Sequence, residues 1–172
     1  GRFNLQNALC AVSVARYFGT DTMTICSGLE QAKPLFGRAQ VLHGKTTVMH
    51  DCYNANPDSL MEALMFLKGL EWTGRKIAVL GAMKELGDET GPSHEEIVRQ
   101  AAALSLDLVM LVGDEYRPAF TEAKSTAPGG MEWFRDVDQL CERIEEAAET
   151  GDLILIKGSR EMALERITDY IV

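Results

Sequence analysis

Residues 76–81, Lys76-Ile77-Ala78-Val79-Leu80-Gly81, decide the fold. Four consecutive apolar residues with no polar alternation describe a strand covered on both faces. The same signature recurs at 107–112 (DLVMLV) and 152–157 (DLILIK), with a shorter form at 46–50 (TTVMH) and a weaker one at 131–134 (MEWF). Between and after these runs, apolar residues at helical spacing predict helices over 57–69, 93–104, 115–125, 137–149 and 160–171. Buried strands alternating with amphipathic helices imply an α/β domain. The expected architecture is doubly wound and Rossmann-like, a mostly parallel sheet with helices on both faces. Such a sheet presents ligands outside the C-terminal ends of its strands.

Several boundaries carry their own chemistry. Asn56 is placed to cap the helix that Pro57 opens, with Asp58 in the first turn facing the positive dipole end. Ser93 and Glu96 have the spacing of a capping box, and Ser159 follows Gly158 as a cap for the last helix. Upstream, residues 4–18 carry Leu5, Leu9, Val12 and Ala15 at helical period, and Gly19 is placed to stop that helix. A second short helix is expected after it, capped by Asp21 or Thr22. Two such helices cannot bury a core. They read as the end of a domain that begins earlier, which divides the chain into 1–33, a linker at 34–38 (PLFGR) and a main domain at 39–172.

The 172 residues carry a net charge of −9, which disfavours nucleic acid as a partner, because duplex binding needs clustered Lys and Arg. Apolar residues make up 46% of the chain, yet no run approaches the ~20 residues of a membrane span. Cys10, Cys26, Cys52 and Cys141 are scattered without a CxxC pair, which suits reduced thiols in a cytoplasmic protein. Cys10 and Cys141 are expected as buried small hydrophobes, and Met61, Met65 and Met162 as core filler.

Two polar signals stand side by side. Gly44-Lys45-Thr46-Thr47 resembles the tail of a phosphate-cradling loop, but the glycine such a loop needs five positions before Gly44 is Ala39. The residues after Lys45 are β-branched, so AQVLH and TTVMH read as a hairpin turning at Gly44-Lys45. The second signal, Asp51-Cys52-Tyr53-Asn54-Ala55-Asn56-Pro57, lies between a strand end and a helix start. Its free amide groups suit an anion, and Asp51 suits ribose hydroxyls. An Asx-rich turn that only caps the helix fits the same residues.

DCYNANPDSL resembles the D-x-Y-N-A-N-P-x-S signature of the Mur ligases that add D-alanyl-D-alanine to the peptidoglycan precursor. The likeness runs along the chain in order. GRFNLQNALCA, PLFGR, VLGAMKELG followed by His94, and GDLILIKGSREMALE each resemble a motif of that family. The resemblance implies a cytoplasmic, monomeric ATP- and magnesium-dependent ligase. ATP would phosphorylate the terminal carboxylate of UDP-N-acetylmuramoyl-tripeptide, and the amine of D-alanyl-D-alanine would attack the acyl phosphate. That chemistry depends on charge neutralisation, in-line placement and exclusion of water. The C-terminal domain would act as a lid over a nucleotide held elsewhere.

By the same resemblance Asn4 and Asn7 lie near the adenine, Arg38 reaches the phosphates, and Asp51, Asn54 and Asn56 form the ribose-side loop. Lys157 and Ser159 fall in the region that receives the incoming substrate, and His94 is a helix-start residue rather than a catalytic one. Three positions depart from the pattern: Phe3 replaces a histidine, His50 stands where an additional acid is frequent, and Ala82 replaces an aspartate. The phosphate loop, the magnesium ligands and the uridine-nucleotide domain have no counterpart in these 172 residues. The expectation is therefore a fragment with no catalytic residue or metal ligand of its own and no turnover alone. The alternatives are the same domain of another Mur-type ligase, and a non-catalytic Rossmann-like nucleotide- or partner-binding module. Nothing in the chain resembles the GxGxxG of a dinucleotide fold.

Overall fold

The computed structural model describes residues 2–33 and 35–172, with the side chains of 2–4 excepted. The expected roles of Asn4 and Phe3 therefore lie outside the described residues. The chain divides into two compact units, Gly1–Pro34 and Leu35–Val172.

The first unit is a helical hairpin of α1 (Arg2–Tyr17) and α2 (Thr22–Gln31). Gly19 adopts φ +80° at the turn, and the Asp21 carboxylate accepts the Thr24 N–H at 3.0 Å as the α2 cap. No residue of α2 is buried, and Leu5, Leu9 and Val14 are more than half exposed. Cys10 is exposed too, contrary to its expected burial, because two helices enclose no interior.

The second unit is built on six strands: β1 (Gln40–His43), β2 (Thr47–Asp51), β3 (Lys76–Gly81), β4 (Leu108–Val112), β5 (Met131–Phe134) and β6 (Leu153–Lys157). Their order across the sheet is β1-β2-β6-β3-β4-β5, and only the β1–β2 hairpin is antiparallel. The last strand thus enters the middle of the sheet, flanked by β2 and β3. Side chains alternate between two cores. Ala78, Leu80, Val109, Leu111, Leu153 and Leu155 pack toward α3 (Pro57–Gly69), α4 (Thr90–Ala103) and α5 (Arg117–Ala123). Ile77, Val79, Met110, Ile154 and Ile156 pack toward α6 (Val137–Ala147) and the C-terminal segment. The expected doubly wound α/β architecture is the one observed.

The Gly44-Lys45 turn serves the chain terminus. The Thr46 hydroxyl donates to the Ile171 carbonyl at 2.7 Å in a buried contact, and a side chain at Gly44 would run into the Val172 backbone. These residues seat the C-terminus under the hairpin.

Three local expectations fail for identifiable reasons. A 3₁₀ turn at Gly87–Glu89 feeds α4 from Thr90, so Ser93 lies inside the helix and Glu96 pairs with Arg99 and Gln100 instead of forming a capping box. The last helix is broken: 3₁₀ turns at Arg160–Met162 and Leu164–Ile167 precede α7 (Thr168–Ile171), with Ala163 at φ +48° between them. That kink sends Leu164 into the core, where its methyl lies 2.8 Å from the position of a Cβ on Gly81. Met65 is 54% exposed, whereas Met61 and Met162 do pack against the core.

Candidate functional site

The site lies at the C-terminal ends of β2, β6 and β3. From β2 and β3 the chain leaves toward the α3–α4 face; from β6 it leaves toward the α6 face. The ends of these strands therefore border the crevice where a doubly wound sheet takes its ligands.

Asp51 closes β2 and Lys157 closes β6, paired side by side in the parallel register. The Lys157 ammonium donates to Asp51 Oδ2 at 2.7 Å and to the Asn54 carbonyl at 3.2 Å. Its side chain is 4% exposed against 30% for Asp51. The lysine points inward and holds the 51–56 loop; its partners account for its charge. The other Asp51 oxygen accepts the Ala39 N–H at 3.2 Å. One carboxylate thus ties β6 and the linker to the end of β2, and its exposed edge keeps lone pairs for a hydroxyl donor.

Arg38 stands between two residues with left-handed backbone, Gly37 (φ +68°) and Ala39 (φ +49°). The Tyr53 N–H donates to the Gly37 carbonyl at 2.9 Å, and a Cβ on Gly37 would lie 3.1 Å from that nitrogen. The Arg38 guanidinium rests on the Tyr53 ring, 4.3 Å from its centroid. It makes no ion pair among the described residues, so its forked donors are open to an anion. Asp51 and Arg38 therefore belong to one cluster. Tyr53 was not assigned a role from the sequence; no spacing rule ties it to an arginine fifteen residues earlier.

Asn56 and Ser59 form the capping box of α3. The Asn56 carboxamide oxygen accepts the Ser59 N–H at 2.8 Å, and the Asn56 N–H donates to the Ser59 hydroxyl at 3.2 Å. The helix start is thus satisfied from within. Asn54 is exposed and folds back on the Ala55 N–H at 2.9 Å. Asn7 is exposed on α1.

Ser159 is buried, and its hydroxyl does not cap the segment after it. It accepts the Lys84 N–H at 2.9 Å, while its own N–H donates to the Ala82 carbonyl at 3.3 Å. Ala82 is fully buried, and a Cβ on Gly113 would lie 2.7 Å from its methyl, so a carboxylate at this position would have no solvent. The loop beyond it carries Lys84, paired with Glu115 from the end of β4. Burial, the largest single influence, opposes ionisation of Glu115, but the hydrogen bond and charge of Lys84 together with a backbone hydrogen bond outweigh it and hold the carboxyl below its ordinary value. His94 is buried beneath. Its Nδ1 donates to the Thr90 carbonyl at 2.6 Å, leaving Nε2 to accept the Met83 N–H at 3.0 Å, and the ring meets Tyr116 edge-on at 4.6 Å. It shapes the 82–86 loop from within, and burial lowers its pKa.

Fold and site together define a Rossmann-like α/β domain with a carboxylate and, among the described residues, an unpaired guanidinium at the mouth of its sheet. Residues 37–160 match the model of the Mur ligase, glutamate ligase domain family, and the chain belongs to that family. It is 34% identical to the UDP-N-acetylmuramoyl-tripeptide–D-alanyl-D-alanine ligase of Treponema pallidum, over 97% of this chain and 36% of that protein. A crystal structure of MurF from Acinetobacter baumannii superposes with a TM-score of 0.83 at 30% identity, covering 98% of this chain and 37% of that one. MurF ligase from Thermotoga maritima in complex with ADP superposes at 0.73 with 26% identity, covering 96% and 37%. The chain thus spans little more than a third of the length of these relatives. Among the described residues no helix is long and apolar enough to cross a membrane, and no three His, Cys, Asp or Glu side chains are grouped to hold a metal ion.

Proposed function

We infer that this chain is the C-terminal part of an ATP-dependent carboxylate–amine ligase of peptidoglycan synthesis, one that joins D-alanyl-D-alanine to UDP-N-acetylmuramoyl-tripeptide. The observation that carries the reading is the convergence of Arg38, Tyr53, Asp51 and Lys157 on one mouth of the sheet, in a chain whose similar proteins include a MurF ligase in complex with ADP. Residues 1–33 would close the central ATPase domain, 34–38 would be the hinge, and 39–172 the lid. ATP supplies the phosphoryl group that activates the tripeptide carboxylate, and magnesium would be held by another part of the protein.

Within this chain, the Arg38 guanidinium would neutralise phosphate oxygens as the lid closes. The exposed edge of Asp51 would accept ribose hydroxyls, with Asn54 beside it and Asn4 and Asn7 on the adenine side. Asn56 would act through the loop, whose helix junction it locks. Lys157 would serve by fixing Asp51 rather than by touching substrate. Ser159, through the Lys84 N–H, would set the loop that borders the incoming dipeptide. The assembled protein would work as a monomer in the cytoplasm.

Phosphate release measures this directly. The natural full-length protein should release phosphate only when ATP, UDP-N-acetylmuramoyl-tripeptide and D-alanyl-D-alanine are all present, and the 172-residue chain should release none. Release by the chain alone, or a full-length protein indifferent to the dipeptide, would refute the reading.

A further inference from the structure

His50 and Cys52 are both buried, at 2% and 1% exposure, and the proposed chemistry uses neither. They form a directed chain of hydrogen bonds that ends on the backbone beside Arg38. Gln40 Oε1 accepts the Gly37 N–H at 3.0 Å, which fixes the orientation of that amide group. The same oxygen lies 3.3 Å from His50 Nδ1. A carboxamide oxygen only accepts, so Nδ1 carries the proton and Nε2 carries the lone pair. Cys52 Sγ lies 2.9 Å from Nε2, so the thiol is the donor. Burial, reinforced by the Glu165 carboxylate 3.8 Å from the sulfur, pushes that thiol up to about 11 and keeps it protonated. Phe36 closes the remaining side with its ring edge-on to the imidazole at 5.3 Å, and Arg160 lies over Phe36.

We propose that His50 is a positioning residue: oriented by the Cys52 thiol, it holds Gln40 against the Gly37 amide and so sets the left-handed turn from which Arg38 projects. The Gln40 oxygen, fixed as an acceptor by the Gly37 N–H, sets the tautomer of the ring, and the shorter contact of the thiol is to Nε2 at 2.9 Å against 3.8 Å to Glu165; all of these groups lie within the Leu35–Val172 unit. The importance of this for phosphate contact rests on the nucleotide reading above; the positioning itself does not.

Amide hydrogen exchange of the 172-residue chain tests the inference without any nucleotide, so a failure of the ligase reading leaves the test intact. His50→Phe keeps a ring against Phe36 but removes both nitrogens. It should speed exchange at Gly37 about tenfold relative to Met110 in the central sheet, the factor that corresponds to one hydrogen bond's net worth. His50→Asn places an N–H near the position of Nδ1 and should restore most of the protection. Ring nitrogen shifts of the unmodified chain should show His50 protonated at Nδ1 alone near neutral pH. An Nε2-protonated ring, a Gly37 rate that rises no more than that of Met110 in His50→Phe, or an equal rise in His50→Asn would each overturn the proposal.

Discussion

Removing Asp51 and removing Lys157 should have unequal effects on stability, and the inequality follows from where the two charges sit. The ammonium is 4% exposed and its other partner is a neutral carbonyl, whereas the carboxylate is 30% exposed. Breaking a buried pair from one side costs about 3–5 kcal/mol, chiefly through the orphaned charge. In Asp51→Ala the orphan is the buried lysine, and the Ala39 N–H loses its acceptor as well; partial exposure of the pair brings the expected loss to about 3 kcal/mol. In Lys157→Met the orphan is a carboxylate that water already reaches, and the methionine fills the lysine's channel, so about 1 kcal/mol is expected. The double variant leaves no orphan and should be more stable than Asp51→Ala alone, a coupling of about 1–2 kcal/mol. Urea unfolding followed by tryptophan fluorescence reads these values cleanly, because Trp72 and Trp133 both belong to the Leu35–Val172 unit. Equal single effects that add in the double variant would refute the argument that Lys157 is buried for the sake of Asp51.

Other outcomes follow from single contacts. Gly44→Ala should cost about 1–3 kcal/mol by the same unfolding assay, and most of that loss should vanish when Val172 is deleted, since the atoms nearest the added methyl all belong to that residue's backbone. His94→Leu leaves the Met83 N–H without its acceptor and should destabilise by about 1–3 kcal/mol, while His94→Gln, which can still accept, should cost less. Burial, with Lys84 adding to it, lowers the His94 pKa below its ordinary 6.5, against the opposing pull of Thr90 and Glu115. Between the folded and unfolded values the unfolded chain binds the extra proton, so stability should fall as pH drops below 6.5 and level off once the folded-state value is passed. A melting series from pH 8 to pH 5 on the unmodified chain and His94→Gln checks this, the variant showing the shallower slope.

Much of the architecture was legible because each element carries its own local signal. KIAVLG and DLILIK read as strands buried on both faces, and Asn56-Pro57-Asp58 reads as a helix start. The features that were not legible depend on distant partners. The break at Ala163 lets Leu164 fill the space left by Gly158 and by Gly81, a glycine at the end of β3 more than eighty residues earlier in the chain. Ser93 has the spacing of a cap, but a 3₁₀ turn at Gly87–Glu89, closed by the Thr90 hydroxyl donating to the Gly87 carbonyl, starts the helix earlier, and His94 beyond it reaches back to the Met83 N–H. By resemblance Lys157 falls in the region that receives the incoming substrate; that it turns inward depends on Asp51, 106 residues earlier. The thiol–imidazole–carboxamide chain needed the β1–β2 register, which pairs Gln40 with His50. The polar loop itself was found by motif; of its residues Asn56 caps the helix, and Asp51 is left exposed at one edge.

The central claim is that Arg38 and the 51–56 loop form one face that meets a nucleotide. Titrating ADP into the isotope-labelled chain, while following backbone amides and the Arg38 side-chain Nε–H, tests it most directly. The account predicts concerted shifts at Arg38, Asp51, Tyr53 and Asn54, lost in Arg38→Ala. Shifts confined to the Gly44-Lys45 turn, or an ADP response that survives unchanged in Arg38→Ala, would contradict it.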